Sequence, residues 1–145
     1  MNMTNKKMLP ESLILDVAHV DAQHESLFCC IENLKFHCLE TNELPKTLLS
    51  ALLDDLREHF HTEEVIARSA MIDFAEHAEM HRQTLNTLNS WSDLVLIGQR
   101  DIFSFLRYLE VWFERHIREE DMPFARQLHE AGVKLSGIQT ESDRK

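Results

Sequence analysis

The sequence predicts an all-α fold, an antiparallel up-down-up-down four-helix bundle preceded by an N-terminal arm. Three observations predict it. Among 145 residues there are only three Gly and three Pro, and every Gly lies beyond residue 97, so the turn residues of an all-β fold are missing. Apolar residues recur with helical periodicity in four separate stretches. The connections between these stretches are short, which favours antiparallel neighbours. The length fits one domain, divided into an arm 1–20, a bundle 21–125 and a polar tail 126–145.

The arm opens on Asn, Thr, Lys and Pro10 and then turns apolar from Leu13 to Val17. Asp21 is placed as the cap of a first helix over about 22–40, with His24, Phe28, Ile31, Leu34 and Cys38 facing inward. Thr41-Asn42-Glu43 breaks that helix, and Pro45 suits the first turn of the second, about 45–68. Its inward stripe is Leu49, Leu52, Leu56, His59, Phe60, Glu63 and Ile66 or Ala67. Asp73, with Glu76 three residues on, resembles a capping box that opens a third helix over about 74–93, with His77, His81, Leu85 or Thr84, Leu88 and, at the edge of the stripe, Trp91 inward. After a turn from Leu94 to Gly98, a fourth helix over about 99–121 carries Ile102, Leu106, Leu109, Phe113 and His116 inward, flanked by Phe105 and Trp112. Pro123 is expected to disturb its end, and the residues from Gly132 on read as polar tail.

Composition excludes several functions. Apolar residues at 43% and charged residues at 28% describe a soluble globular chain. The formal net charge of −10 repels phosphate backbones, so nucleic acid is excluded as a partner. No Gly-rich phosphate loop is present, no apolar run is long enough to span a bilayer, and the first fifteen residues lack a secretory apolar segment. A cytoplasmic location and a monomer are expected. Cys29, Cys30 and Cys38 suit a reducing compartment and form no C-x-x-C pair; they read as small apolar side chains.

The unusual feature is nine His in a chain with one Tyr. On the helical scheme His24 begins the first helix, His59 and Glu63 end the second, His77 and His81 begin the third, and His116 and Asp121 end the fourth. In an antiparallel bundle these four places are one end. His59 with Glu63 and His77 with His81 are spaced i,i+4, so each pair shares a helix face. His116 and Asp121 are five apart, roughly 140° on a regular helix. A π-turn would bring them together, and Pro123, which cannot donate to the carbonyl four residues back, favours one. Burying five imidazoles and two carboxylates without a partner would cost several kcal/mol per charged group, a cost a metal removes. Five imidazoles, two bridging carboxylates and one bridging solvent oxygen fill two six-coordinate metals except for one position. The mixture of imidazole and carboxylate suits iron, and the spacing is unlike the Glu-x-x-His pattern of ferritin-like bundles.

These residues resemble the hemerythrins, specifically their single-domain bacterial type. The matching segments are Val20-Asp21-Ala22-Gln23-His24, His59-Phe60-His61-Thr62-Glu63-Glu64, His77-Ala78-Glu79-Met80-His81, and Trp112-Phe113-Glu114-Arg115-His116-Ile117 followed by Asp121. The resemblance implies two iron ions joined by a bridging oxo or hydroxo group, one held by His77, His81 and His116, the other by His24 and His59, with Glu63 and Asp121 bridging. It implies reversible O2 binding, for storage or delivery, at the open position of the two-histidine iron. Phe28, Phe60, Trp112, Phe113 and Ile117 are the candidate lining of the O2 pocket, with Phe113 closing it. The chain departs from the family pattern in the arm, where Leu9-Pro10-Glu11-Ser12-Leu13 offers no Trp, at Ala67 in place of Met, in lacking Tyr-Pro before the third helix, and at Phe113 where Leu is common. Two other functions compete with O2 storage: a di-iron enzyme acting on peroxide, nitric oxide or sulfide, and a sensor acting through a partner protein. An oxygen-consuming enzyme is a candidate recipient of delivered O2. Of the remaining side chains, His61 is expected on the surface, His37 off the inward stripe, His129 in or near the tail, and His19 as a candidate outer partner. Glu25, Glu64 and Glu120 are expected in solvent, Glu64 being the best placed to accept from a ligand.

Overall fold

The computed structural model describes residues 9–132. A single turn at Glu11–Leu13 leads through an extended segment into α1 (Ala18–Thr41), followed by α2 (Lys46–Ser69), α3 (Ala75–Leu96) and α4 (Ile102–His116). The chain then passes through a π-turn (Ile117–Asp121) directly into α5 (Met122–Glu130).

Side-chain contacts fix the direction of each helix. From His24 to Cys30 on α1, partners on α2 fall from His59 to Asp55. From Phe28 to Lys35, partners on α4 fall from Phe113 to Glu110. From His81 to Trp91 on α3, partners on α4 fall from His116 to Phe105. Each neighbour is therefore antiparallel, α1 and α3 each packing against both α2 and α4. The core between them is aliphatic and aromatic, with Leu27, Leu34, Leu52, Leu56, Leu88, Phe105 and Leu109 fully buried.

Several boundaries differ from the sequence reading, each for a local reason. α1 begins at Ala18, not after Asp21, because Val20 extends the apolar stripe one turn ahead of His24. Asp21 sits in the first turn and reaches backward: its carboxylate accepts from the backbone N–H of Leu15 at 2.9 Å and of Asp16 at 3.0 Å, holding the arm against the bundle. The arm is thus packed, with Leu13, Leu15 and Val17 buried. At α3, Asp73 accepts from the N–H of Ala75 at 3.1 Å and stands one residue too early for a capping box, so Phe74 occupies the cap position. α3 runs on to Leu96 because Ser92 and Val95 are buried. α4 starts three residues later than expected, where Asp101 caps it by accepting from the N–H of Ser104 at 2.9 Å. The segment assigned to the tail from 126 is helical to Glu130. Pro123 lies in the first turn of α5, immediately after the π-turn, and Phe124, Ala125 and Leu128 join the core. His129, assigned to the tail, donates through Nε2 to the carbonyl of Leu15 at 3.0 Å.

Left-handed residues shape the connections near the ends of the helices, Gly98 (φ 80°) among them. Asn42 (φ 60°) closes α1, its N–H donating to the Cys38 carbonyl, and Met71 (φ 58°) turns the chain between α2 and α3. Among the described residues no helix is long and apolar enough to cross a membrane.

Candidate metal centre

The four helices deliver their histidines to one depth. His24 comes from the second turn of α1, His59 and Glu63 from the second half of α2, His77 and His81 from the first two turns of α3, and His116 from the last residue of α4. Asp121 closes the π-turn and is fully buried. The wider turn therefore does what the five-residue spacing required: it rotates Asp121 back onto the face of His116.

All seven side chains converge. Asp121 is central: its Oδ2 lies 2.9 Å from His24 Nε2, 3.2 Å from His116 Nε2 and 3.5 Å from His59 Nε2, while its Oδ1 lies 3.3 Å from His77 Nε2. Glu63 is placed in the same way, Oε1 3.2 Å from His81 Nε2 and Oε2 3.5 Å from His59 Nε2. His24 and His59 bring their Nε2 atoms within 3.2 Å of each other. The donor atoms fall into two overlapping groups, Glu63, His77, His81, His116 and Asp121 in one and His24, His59, Glu63 and Asp121 in the other. Within each group they lie within 4.8 Å of one another.

The residues fit a metal. Nε2 of His77, His81 and His116, both oxygens of Glu63 and Oδ1 of Asp121 are buried and without hydrogen-bond partners. A half-dozen orphaned polar atoms facing one space would be costly in a metal-free interior, since each unmet group costs about 1–3 kcal/mol. Imidazole and carboxylate donors with no thiolate suit first-row divalent metals such as iron.

The electrostatics describe the metal-free chain. Burial, with Asp121 beside it, pushes the Glu63 carboxyl well above the usual range. Burial opposes ionisation of Asp121 too, but His116, His24 and His59 outweigh it and hold its carboxyl well below the usual range. Burial pushes His116 down, and Asp121 and Glu120 more than reverse this, raising it to about 9. His59 is lowered to about 4, by burial above all.

Hydrogen bonds behind the histidines include residues the sequence reading assigned elsewhere. Glu120, expected in solvent, pairs with Nδ1 of His116. The i,i+4 spacing from His116 was the available signal. Gln23, given no role, accepts from His59 Nδ1 at 3.1 Å, and its own amide donates to Thr62 Oγ1 at 2.9 Å. Its position beside His24 was the only hint. Glu64 is exposed, turned away from the interior by the one-residue step from Glu63. His61 and His37 are exposed and His19 is half-buried.

The five aromatic and aliphatic candidates for a pocket do not share one side. Phe113 is buried, its ring 5.6 Å from that of His24 and 4.9 Å from that of Phe28, so these two flank the two-histidine group. Phe60 stacks on His81 at 3.8 Å and also touches the rings of His59 and His116. Trp112 stacks on His116 at 5.1 Å, on the three-histidine side. Ile117 is fully buried next to His116 in the chain. Phe74, not anticipated, stacks on His77 at 4.3 Å and packs against Phe124. His77 is the most exposed of the seven, its side chain 13% accessible.

The family model described as the Hemerythrin HHE cation binding domain matches residues 15–128. No curated protein and no solved structure matches the chain.

Proposed function

The chain belongs to the hemerythrin HHE cation-binding family, and on that premise we propose that it binds O2 reversibly at a di-iron centre, for oxygen storage or delivery, without catalytic turnover. The observation that carries this reading is the division of seven converging side chains into two donor groups that share Glu63 and Asp121. His77, His81 and His116 would hold one iron and His24 and His59 the other, with the two carboxylates and an oxo or hydroxo group bridging them. Two iron ions held there would supply the electrons for reversible O2 binding.

The chain's own residues set the conditions. The two-histidine group offers one imidazole fewer than its neighbour, so room for a further ligand lies on that side. Phe113 faces His24 edge-on there, and Phe28 packs behind it, an apolar wall that keeps water and protons away. Glu63 and Asp121, fully buried, supply the negative charge that balances two cations.

The test is optical. Protein loaded with Fe2+ without oxygen is exposed to O2 and then returned to argon, through several cycles. The reading expects an absorption spectrum that appears with O2 and vanishes on its removal. A spectrum that never reverses, or steady consumption of peroxide by the loaded protein, would contradict binding without turnover.

A further inference from the structure

An imidazole that points one nitrogen at the centre turns its other nitrogen toward the protein, and what meets that second nitrogen differs between His116 and the two histidines of the other group. His116 Nδ1 meets a carboxylate oxygen of Glu120. His59 Nδ1 meets the neutral amide of Gln23 at 3.1 Å, an amide fixed in orientation by its hydrogen bond to Thr62. His24 Nδ1 is buried with no hydrogen-bond partner. A carboxylate behind a ligating imidazole raises its basicity and its affinity for the metal, and such charge-assisted bonds are about twice as strong as neutral ones. A neutral amide orients the ring without adding charge.

We propose that this unequal backing makes the two metal positions unequal: Glu120 makes the three-histidine position the tighter one and the first to fill, and Gln23 leaves the two-histidine position the weaker. The inference rests on the two-metal reading above. Glu120 is a positioning residue that acts through His116. It lines two surface clefts, one of about 300 Å³ beside Trp112 and one of about 450 Å³ beside Phe74 and His77, and its side chain is 24% exposed. Replacing it by Gln therefore opens no cavity in the core.

The experiment titrates Co2+ into the metal-free protein under argon, following visible absorption and heat. The parent is expected to take up two ions in two resolved steps. Glu120→Gln keeps an acceptor oxygen and removes the charge. It is expected to weaken the tighter step by about 10–100-fold and to leave the weaker step unchanged. Gln23→Glu is expected to tighten the weaker step and narrow the gap, a gain that damaged packing cannot produce, and it decides the matter alone should Glu120→Gln fail to fold. If neither variant changes the gap between the steps, the inference is overturned while the two-metal reading stands. A parent that takes up only one Co2+ overturns that reading, and this inference with it.

Discussion

In the metal-free chain His116 carries a proton at neutral pH, and Glu63 is shifted toward its protonated form. Asp121 and Glu120 hold the His116 imidazolium up to about 9, and burial, with Asp121 beside it, pushes the Glu63 carboxyl well above the usual range. A metal needs the neutral imidazole and the carboxylate, so binding must expel these protons. The sign follows: metal affinity rises with pH through neutrality until the pH passes about 9, where His116 is already neutral. Calorimetric titration of Fe2+ or Zn2+ at pH 7 in two buffers of different ionisation enthalpy should show net proton release; heats independent of the buffer would contradict it. Phe113 carries the second prediction at this scale. Phe113→Ala removes a buried aromatic, at about 3–5 kcal/mol if the core does not relax, and admits solvent beside His24. The variant is expected to keep its full iron content while its O2-loaded form decays in air much faster than the parent's. Trp112→Ala, on the other side of the centre against His116, is the control expected to change that decay less. Equal decay in parent and Phe113→Ala would remove Phe113 from the wall. At this scale the sequence carried the i,i+4 pairs, because helical periodicity alone places His59 with Glu63 and His77 with His81. It did not carry the partners of the outer nitrogens. Glu120 and Glu64 both flank a candidate ligand, and only the real path of the chain through the π-turn shows which of them reaches back.

Among the elements, the π-turn was legible from two facts, the five-residue interval between His116 and Asp121 and the Pro two residues further on. Its continuation was not. Pro123 reads as a stop when counted from α4, yet it lies in the first turn of α5, and the apolar pair Phe124 and Leu128 pulls that helix into the core. The start of α1 was misjudged for a similar reason: Asp21 has the chemistry of a cap, but its carboxylate serves the arm, accepting from Leu15 and Asp16. At the far end of the bundle Asp101 is a true cap, its carboxylate accepting from both the N–H and the hydroxyl of Ser104. Asp101→Ala is expected to cost about 0.5–2 kcal/mol of stability. Because this end is remote from the histidines, metal content should not change. Urea unfolding of the metal-free protein, with metal analysis of the loaded protein, checks both halves of that statement. An unchanged midpoint, or a loss of metal, would contradict it.

The whole molecule gathers its least tolerable groups at one end and ties the helices together through them. Glu63 and Asp121 are fully buried and their partners come from all four helices, so metal binding and bundle stability are linked. A ligand that binds only the folded chain stabilises it by about 4 kcal/mol at a thousand times its dissociation constant. Chelation should therefore lower the thermal midpoint markedly, and addition of Fe2+ under argon should restore it; identical midpoints with and without metal would show that the cluster is not the tie we describe. The four-helix architecture was legible in the sequence because scarce Gly, four periodic stretches and short links all point the same way. The packing of the arm was less so, since Leu13, Leu15 and Val17 are too few to show a period. Iron content per folded chain tests the central claim most directly. Protein folded with excess Fe2+ under argon and freed of loosely held ion should contain two irons per chain by elemental analysis, whereas one iron in fully loaded protein would contradict the paired centre.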